Sequence, residues 1–129
     1  MTEEHRTLVL LVEDNAVNAE LARTLLERDG FDVLHAATAE AALRAAKDSR
    51  PDLILMDLQL PDADGLSVVS RLRADPALAQ PAIIALTAYA MSGDETRALG
   101  AGCDGYIAKP FDTRSFTARI RDILTARRS

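Results

Sequence analysis

Leu53-Ile54-Leu55-Met56 is a run of four apolar residues that stops on a carboxylate, Asp57. A run this short fits a strand buried on both faces, as strands are in a parallel sheet between helical layers. The same pattern recurs along the chain. Leu8-Val9-Leu10-Leu11-Val12 ends on Glu13-Asp14, Ala82-Ile83-Ile84-Ala85-Leu86 ends on Thr87, and Tyr106-Ile107-Ala108 ends on Lys109-Pro110. Phe31 to Ala36 is a short strand interrupted by Asp32 and His35, which places it at a sheet edge.

Helical spacing fills the intervals. Val17, Leu21 and Leu25 recur every four residues with Ala22 and Leu26 beside them, after Asn15 as N-cap and before Gly30 as C-terminal cap. Thr38 opens an Ala-rich helix with Leu43 turned inward. Asp64 or Gly65 opens another, with Leu66, Val69 and Leu72 inward. It stops at Asp75-Pro76, because the residue before proline is pushed out of helical geometry. Ser92-Gly93-Asp94-Glu95 reads as a capping box for a helix reaching Leu99, punctuated by Gly100 and Gly102. Asp112 caps a last helix whose inner face is Phe116, Ile120, Ile123 and Leu124. Arg127 and Arg128 suit the negative end of its dipole. Strands alternating with helices imply a parallel sheet with right-handed crossovers. The expected fold is α/β, a doubly wound, flavodoxin-like three-layer sandwich, in one domain over residues 1–129.

Composition narrows the function. A net charge of -5 argues against a dedicated nucleic-acid surface and fits acidic side chains that hold a cation. The single Cys103 excludes an internal disulfide, suits a reducing cytoplasm and reads as a small semi-buried hydrophobe. No run of about 18 apolar residues is present to cross a membrane. The polar lead from Met1 to Thr7 does not read as a signal peptide.

Parallel strands present their C-terminal tips at one edge, where open α/β sheets place their ligands. Here the tips carry Glu13-Asp14, Asp57, Thr87 and Lys109. Taken singly, each has a plain explanation as a solvated acid, a turn cap or a surface lysine. Together, three carboxylates converge and repel unless a cation neutralises them. Their hard oxygen ligands suit Mg²⁺. Lys109 adds a fixed positive charge and Thr87 a hydroxyl donor. Such a set suits a phosphoryl group, whose transfer needs mainly positioning and charge neutralisation.

Leu11-Val12-Glu13-Asp14-Asn15, Met56-Asp57-Leu58-Gln59-Leu60-Pro61, Asp64-Gly65, Leu86-Thr87-Ala88 and Lys109-Pro110-Phe111 resemble the response regulator receiver domains of bacterial two-component signalling. The resemblance covers essentially the whole chain. It implies a (βα)5 fold with strand order 2-1-3-4-5, and Asp57 as acceptor of a phosphoryl group from a phosphohistidine on a histidine kinase or phosphotransfer protein. It implies Mg²⁺ held by Asp14, Asp57 and the Gln59 backbone carbonyl, with Glu13 acting through a water. Lys109 would contact the phosphoryl oxygens, and its bond to Pro110 is expected to be cis. Thr87 and Tyr106 would form a switch pair read out on the face of the fourth helix, fifth strand and fifth helix by a downstream protein. The resemblance also implies a cytoplasmic signalling phosphoacceptor that assists only its own phosphorylation and dephosphorylation.

Rival readings are weaker. Aspartyl-phosphate phosphatases need a second Asp two residues on, and Gln59 stands there. No Gly-x-x-x-x-Gly-Lys or Gly-x-Gly-x-x-Gly loop is present. His5 and His35 are expected away from the strand tips, so no triad assembles. A structural interaction module without phosphorylation sits badly with a complete set of Glu13, Asp14, Asp57, Thr87 and Lys109. The chain is either a stand-alone regulator or a receiver cut from a hybrid kinase, and the lead from Met1 leans towards the first. Gln59 and Tyr89 occupy positions that flank the phosphoryl group in this family. Tyr89 either screens Asp57 from in-line water or simply covers the loop before the fourth helix. Faster dephosphorylation of Tyr89→Ala is the outcome the screening role predicts; an unchanged rate removes that role.

Overall fold

The computed structural model describes residues 6–78, 80–88 and 93–128. The elements run β1 (Leu8–Val12), α1 (Ala16–Arg28), β2 (Asp32–Ala36), α2 (Ala39–Ser49), β3 (Leu53–Asp57), α3 (Gly65–Ala74), β4 (Ala82–Thr87), α4 (Asp94–Ala101), β5 (Gly105–Ala108) and α5 (Phe116–Arg128). The five strands pair in parallel in the order β2-β1-β3-β4-β5. The flavodoxin-like sandwich read from the alternation is the observed architecture.

Each central strand is continuous in apolar residues because it has a helical layer on both sides. Leu53, Ile54, Leu55 and Met56 are all 0% exposed, and each such burial contributes roughly 1.5–3 kcal/mol relative to exposure. Alternate residues feed opposite cores. Ile54 and Met56 join Ala42, Ala46, Val69, Leu72 and Ala98 under α2, α3 and α4. Leu53 and Leu55 join Ala22, Leu26, Phe116 and Ile120 under α1 and α5. β2 lies at the edge, as its polar interruptions require.

Local signals hold at several helix ends. Asn15, Thr38 and Asp64 each accept a backbone amide as N-caps, from Asn18, Ala41 and Leu66. At the end of α1, Gly30 at φ +94 donates to the Glu27 carbonyl and Phe31 to that of Leu26, a Schellman closure. Asp75 leaves helical geometry before Pro76.

Four expectations need correction. The inner face of α1 is Ala19, Ala22, Leu25 and Leu26, while Val17 is 77% and Leu21 36% exposed. Small alanines let the helix approach the sheet, and a four-residue repeat does not say which side of the helix is covered. Leu43 does turn inward, packing half-buried against the core beside the fully buried Ala39, Ala42 and Ala46. The N-cap of α4 is Gly93 in the left-handed region, with no side-chain cap bond; Ser92 lies outside the described residues. Asp112 caps a turn, accepting the Arg114 amide, and α5 begins four residues later at Phe116. Gly100 lies inside α4, and Gly102 is the residue that closes it.

The edge opposite the strand tips is locked by one half-buried guanidinium. Arg73 donates to the Gly102 carbonyl at 2.9 Å, the Pro81 carbonyl at 2.7 Å and Asp104 at 3.0 Å. Arg127 binds the Gln80 carbonyl at 2.8 Å and pairs with Asp104 at 3.5 Å. Arg127 is therefore an anchor and not merely a partner of the helix dipole. Cys103 is buried beside this lock, and burial pushes its thiol up to about 11, consistent with its reading as a small hydrophobe.

Candidate functional site

The register brings the expected residues to one edge. Met56 of β3 pairs with Val12 of β1, so Glu13-Asp14 and Asp57 leave adjacent strands at the same level. β4 lies on the other side of β3, with Leu86 opposite Asp57 and Thr87 one residue beyond. Ala108 pairs with Thr87, which delivers Lys109 next, and the Lys109 amide donates to the Thr87 carbonyl at 2.8 Å. The Lys109–Pro110 bond is cis.

At the centre, Lys109 Nζ lies 2.9 Å from Asp57 Oδ2 and 2.7 Å from Glu13 Oε1. Asp57 is 4% and Glu13 1% exposed, whereas Asp14 is open to solvent. One carboxylate oxygen from each of Glu13, Asp14 and Asp57 falls within 4.8 Å of the others. Asp57 Oδ1 accepts the Gln59 amide at 2.9 Å and Glu13 Oε2 the Asn15 amide at 3.1 Å. Glu13 Oε1 contacts Lys109 out of hydrogen-bond alignment.

Burial raises the proton affinity of Glu13, and the neighbouring Asp57 adds to it; the Lys109 ammonium opposes both without cancelling them. Burial alone would lower the Lys109 pKa, but the contacts with Glu13 and Asp57 reverse the sign and hold it above the usual lysine value. The two directions differ in cause: burial dominates at Glu13, and the two neighbouring acids dominate at Lys109. The cluster is short of positive charge, which is what a divalent cation supplies. Hard oxygen ligands, a buried carboxylate oxygen without an aligned donor and one solvent-facing acid fit Mg²⁺, which keeps part of its water shell.

The loop after β3 is built for this site. Gln59 bridges to Asp64, and the Gly65 amide donates to the Leu58 carbonyl at 3.1 Å. A Cβ on Gly65 would sit 2.7 Å from Leu58 Cα and closer still to the Asp57 carbonyl oxygen. Only glycine lets α3 start this close to the strand tip.

Thr87 is buried at 2% exposure. Tyr106 pairs with Ala85, two residues before Thr87, so both project to the same side of the sheet. Tyr106 is half-buried against the core under α2, α3 and α4, with the Arg119 guanidinium 5.5 Å from its ring centre. His35 does not lie away from the tips. As its partner is a carbonyl, its Nε2–H donates to the Glu13 oxygen at 2.7 Å. The edge strand reaches β1 there because His35 pairs with Leu11, just below the tip. Tyr89 and His5 lie outside the described residues. Sequence reasoning gave no role to Asp62, which accepts the amides of Ala39 and Glu40 from 23 and 22 positions away. No local signature marks a cap that distant.

Residues 9–121 match the sequence model of the response regulator receiver domain. The chain belongs to the response regulator receiver family. This receiver domain is 43% identical over 116 residues to the polar-differentiation response regulator DivK of Brucella anthropi, covering 90% of the chain and 94% of the relative. The Brucella ovis counterpart is 42% identical with the same coverage. A receiver domain of a sensor histidine kinase from Pseudomonas aeruginosa PAO1, with a magnesium ion coordinated in its active-site cleft, superposes at TM-score 0.81 and 39% identity. That match covers 95% of this chain and 97% of the other. A CheY-like receiver from Methanospirillum hungatei matches at TM-score 0.83 and 28% identity, covering 95% of this chain and 96% of the other. The receiver is a signalling phosphoacceptor of two-component systems, and its Glu13, Asp14 and Asp57 form an acidic cluster able to bind Mg²⁺. Among the described residues, no helix is long and apolar enough to cross a membrane.

Mg²⁺ at a hundredfold excess over its Kd is expected to stabilise the fold by about 2.7 kcal/mol. The raised Glu13 pKa fixes the sign with pH. Without the ion, the Glu13 contribution to stability is present below about pH 4.5 and lost as pH rises through the higher folded value. The melting-temperature gain from Mg²⁺ should therefore grow with pH across that window. Glu13→Gln should raise Mg²⁺-free stability near neutral pH and shrink the Mg²⁺ response. A flat Mg²⁺ titration in the wild type would contradict the acidic-cluster assignment.

Proposed function

We propose that residues 1–129 form one receiver domain in which Asp57 accepts a phosphoryl group from a phosphohistidine of a histidine kinase or phosphotransfer protein. The observation that carries this reading is the approach of Lys109 Nζ to Asp57 Oδ2 at 2.9 Å within a cluster of three carboxylates. A nucleophilic carboxylate at a strand tip, with a fixed cation beside it, is arranged to meet an incoming phosphoryl group.

In the transfer, the N–P bond of the donor breaks, a bond forms from an Asp57 carboxylate oxygen to phosphorus, and the donor histidine leaves as imidazole. Asp14, Asp57 and the Gln59 carbonyl would hold Mg²⁺, with Glu13 acting through a water. Bound there, the ion would supply neutralisation of charge on the phosphoryl oxygens. Lys109 exchanges its pairing with the Asp57 carboxylate for the phosphoryl oxygens. The Gln59 amide fixes the Asp57 rotamer.

Thr87 and Tyr106 act as the switch. The Thr87 hydroxyl moves towards the phosphoryl group and the Tyr106 ring follows into the space it leaves. Their common side of the sheet supports this coupling. The altered surface is α4, β5 and α5, which a downstream protein reads. The phosphorylated packing needs only a modest preference for the bound phosphate. The protein works in the cytoplasm as a signalling phosphoacceptor that catalyses no reaction on a separate substrate. The names of its Brucella relatives support a place in a developmental relay.

Beryllofluoride with Mg²⁺ is the test. Amide resonances of α4 and β5 should shift on titration, and Asp57→Asn should abolish the shift. A wild-type protein that gave no response would instead be a structural interaction module.

A further inference from the structure

The two halves of the acidic cluster come from different strands. β1 brings Glu13 and Asp14; β3 and its loop bring Asp57 and Gln59. Residues 35–40, at the junction of β2 and α2, touch both halves although β2 is the edge strand farthest from β4 and β5. On one side, the Glu13 amide donates to the Ala36 carbonyl at 3.0 Å and the Glu13 carbonyl accepts His35 Nε2–H at 2.7 Å. Both backbone polar groups of Glu13 are thereby held by β2. On the other side, Asp62 Oδ1 accepts the Ala39 amide at 2.8 Å and Oδ2 the Glu40 amide at 3.2 Å. These are the first two amides of α2, where an anionic acceptor is favoured. The amide of Ala39 accordingly holds the Asp62 carboxyl below the usual range.

Asp62 belongs to the loop that presents the Gln59 carbonyl. That loop is fastened at Gln59 by Asp57 and at Asp64 by the start of α3. Between these two points, Asp62 is the tie to α2. Thr38 Oγ1 accepts the Ala41 amide at 3.1 Å, so the cap within α2 and the tie to the Gln59 loop fall on different amides and can be removed separately.

We propose that the β2–α2 junction is a brace that sets the spacing of the Mg²⁺ ligands, with Asp62 as a positioning residue acting through the Gln59 loop. The inference rests on the metal assignment made under the proposed function. Outer partners that orient ligands typically influence metal affinity by 10–100-fold. Here the acting group is exposed and three positions along the chain from the nearest ligand, Gln59, so the lower end is expected.

Calorimetric titration with MgCl₂ alone, on the full chain, tests the brace with three variants. Asp62→Ala should weaken the Mg²⁺ Kd about tenfold. Asp62→Asn keeps an oxygen for the Ala39 amide and should recover part of that loss. Thr38→Ala removes the cap belonging to α2 itself and should lower the melting temperature while leaving the Kd unchanged. An Asp62→Ala Kd equal to that of the wild type overturns the brace and leaves the metal site standing. So does an equal loss in Thr38→Ala, which would trace the effect to helix stability. Identical losses in Asp62→Ala and Asp62→Asn would trace it to charge alone and also overturn the brace. A wild type without saturable Mg²⁺ binding would overturn the metal assignment itself, and the brace with it.

Discussion

One ammonium group faces two buried acids, and the strand tips are arranged around it. Lys109 Nζ reaches Glu13 at 2.7 Å and Asp57 at 2.9 Å. Removing Lys109 would leave two buried acids without a compensating charge, which is strongly destabilising, whereas neutralising Glu13 leaves Lys109 paired with Asp57. The geometry is therefore held from several directions: by the β1–β3 and β4–β5 registers, by the Thr87 carbonyl on the Lys109 amide, and by the near contact of Gly65 with the Asp57 backbone. With one positive charge for three carboxylates, the cluster is poised to gain a cation or a proton. A divalent cation such as Mg²⁺ would relieve this shortage.

Rigidity and freedom are distributed along the strands. At the edge opposite the tips, Arg73 and Arg127 tie α3, β4, β5 and α5 together through Gly102, Pro81, Gln80 and Asp104. At the tip edge, Thr87 and Tyr106 sit on one side of the sheet, with Tyr106 only half-buried. A lock at one end and a half-buried aromatic at the other fit the two-state surface proposed above, because packed cores favour discrete arrangements over continuous deformation.

The strands were legible in the sequence because burial on both faces leaves no room for polar residues. Leu53 to Met56 could be little else, and the carboxylate at its end stood out for the same reason. The caps at Asn15, Thr38 and Asp64 were legible because they act within three residues. The inward side of α1 was not, since Ala19 and Ala22 bury as effectively as Leu21 when a helix lies close to a sheet. His35 was misplaced because sequence position does not reveal which carbonyl an edge-strand ring can reach. Asp62 reaches Glu40 across 22 positions and Arg73 reaches Asp104 across 31, and no periodicity records such a contact. The resemblance to receiver domains supplied the ligand set; the structure added the ties that hold it.

The most direct test of the account is chemical trapping at Asp57. After phosphoryl transfer from phosphoramidate, a small surrogate for phosphohistidine, borohydride reduces an aspartyl phosphate to homoserine, and peptide mass mapping locates it. The account predicts homoserine at position 57, dependent on Mg²⁺ and absent from Asp57→Asn. Reduction at another carboxylate, or none at saturating Mg²⁺, would contradict it.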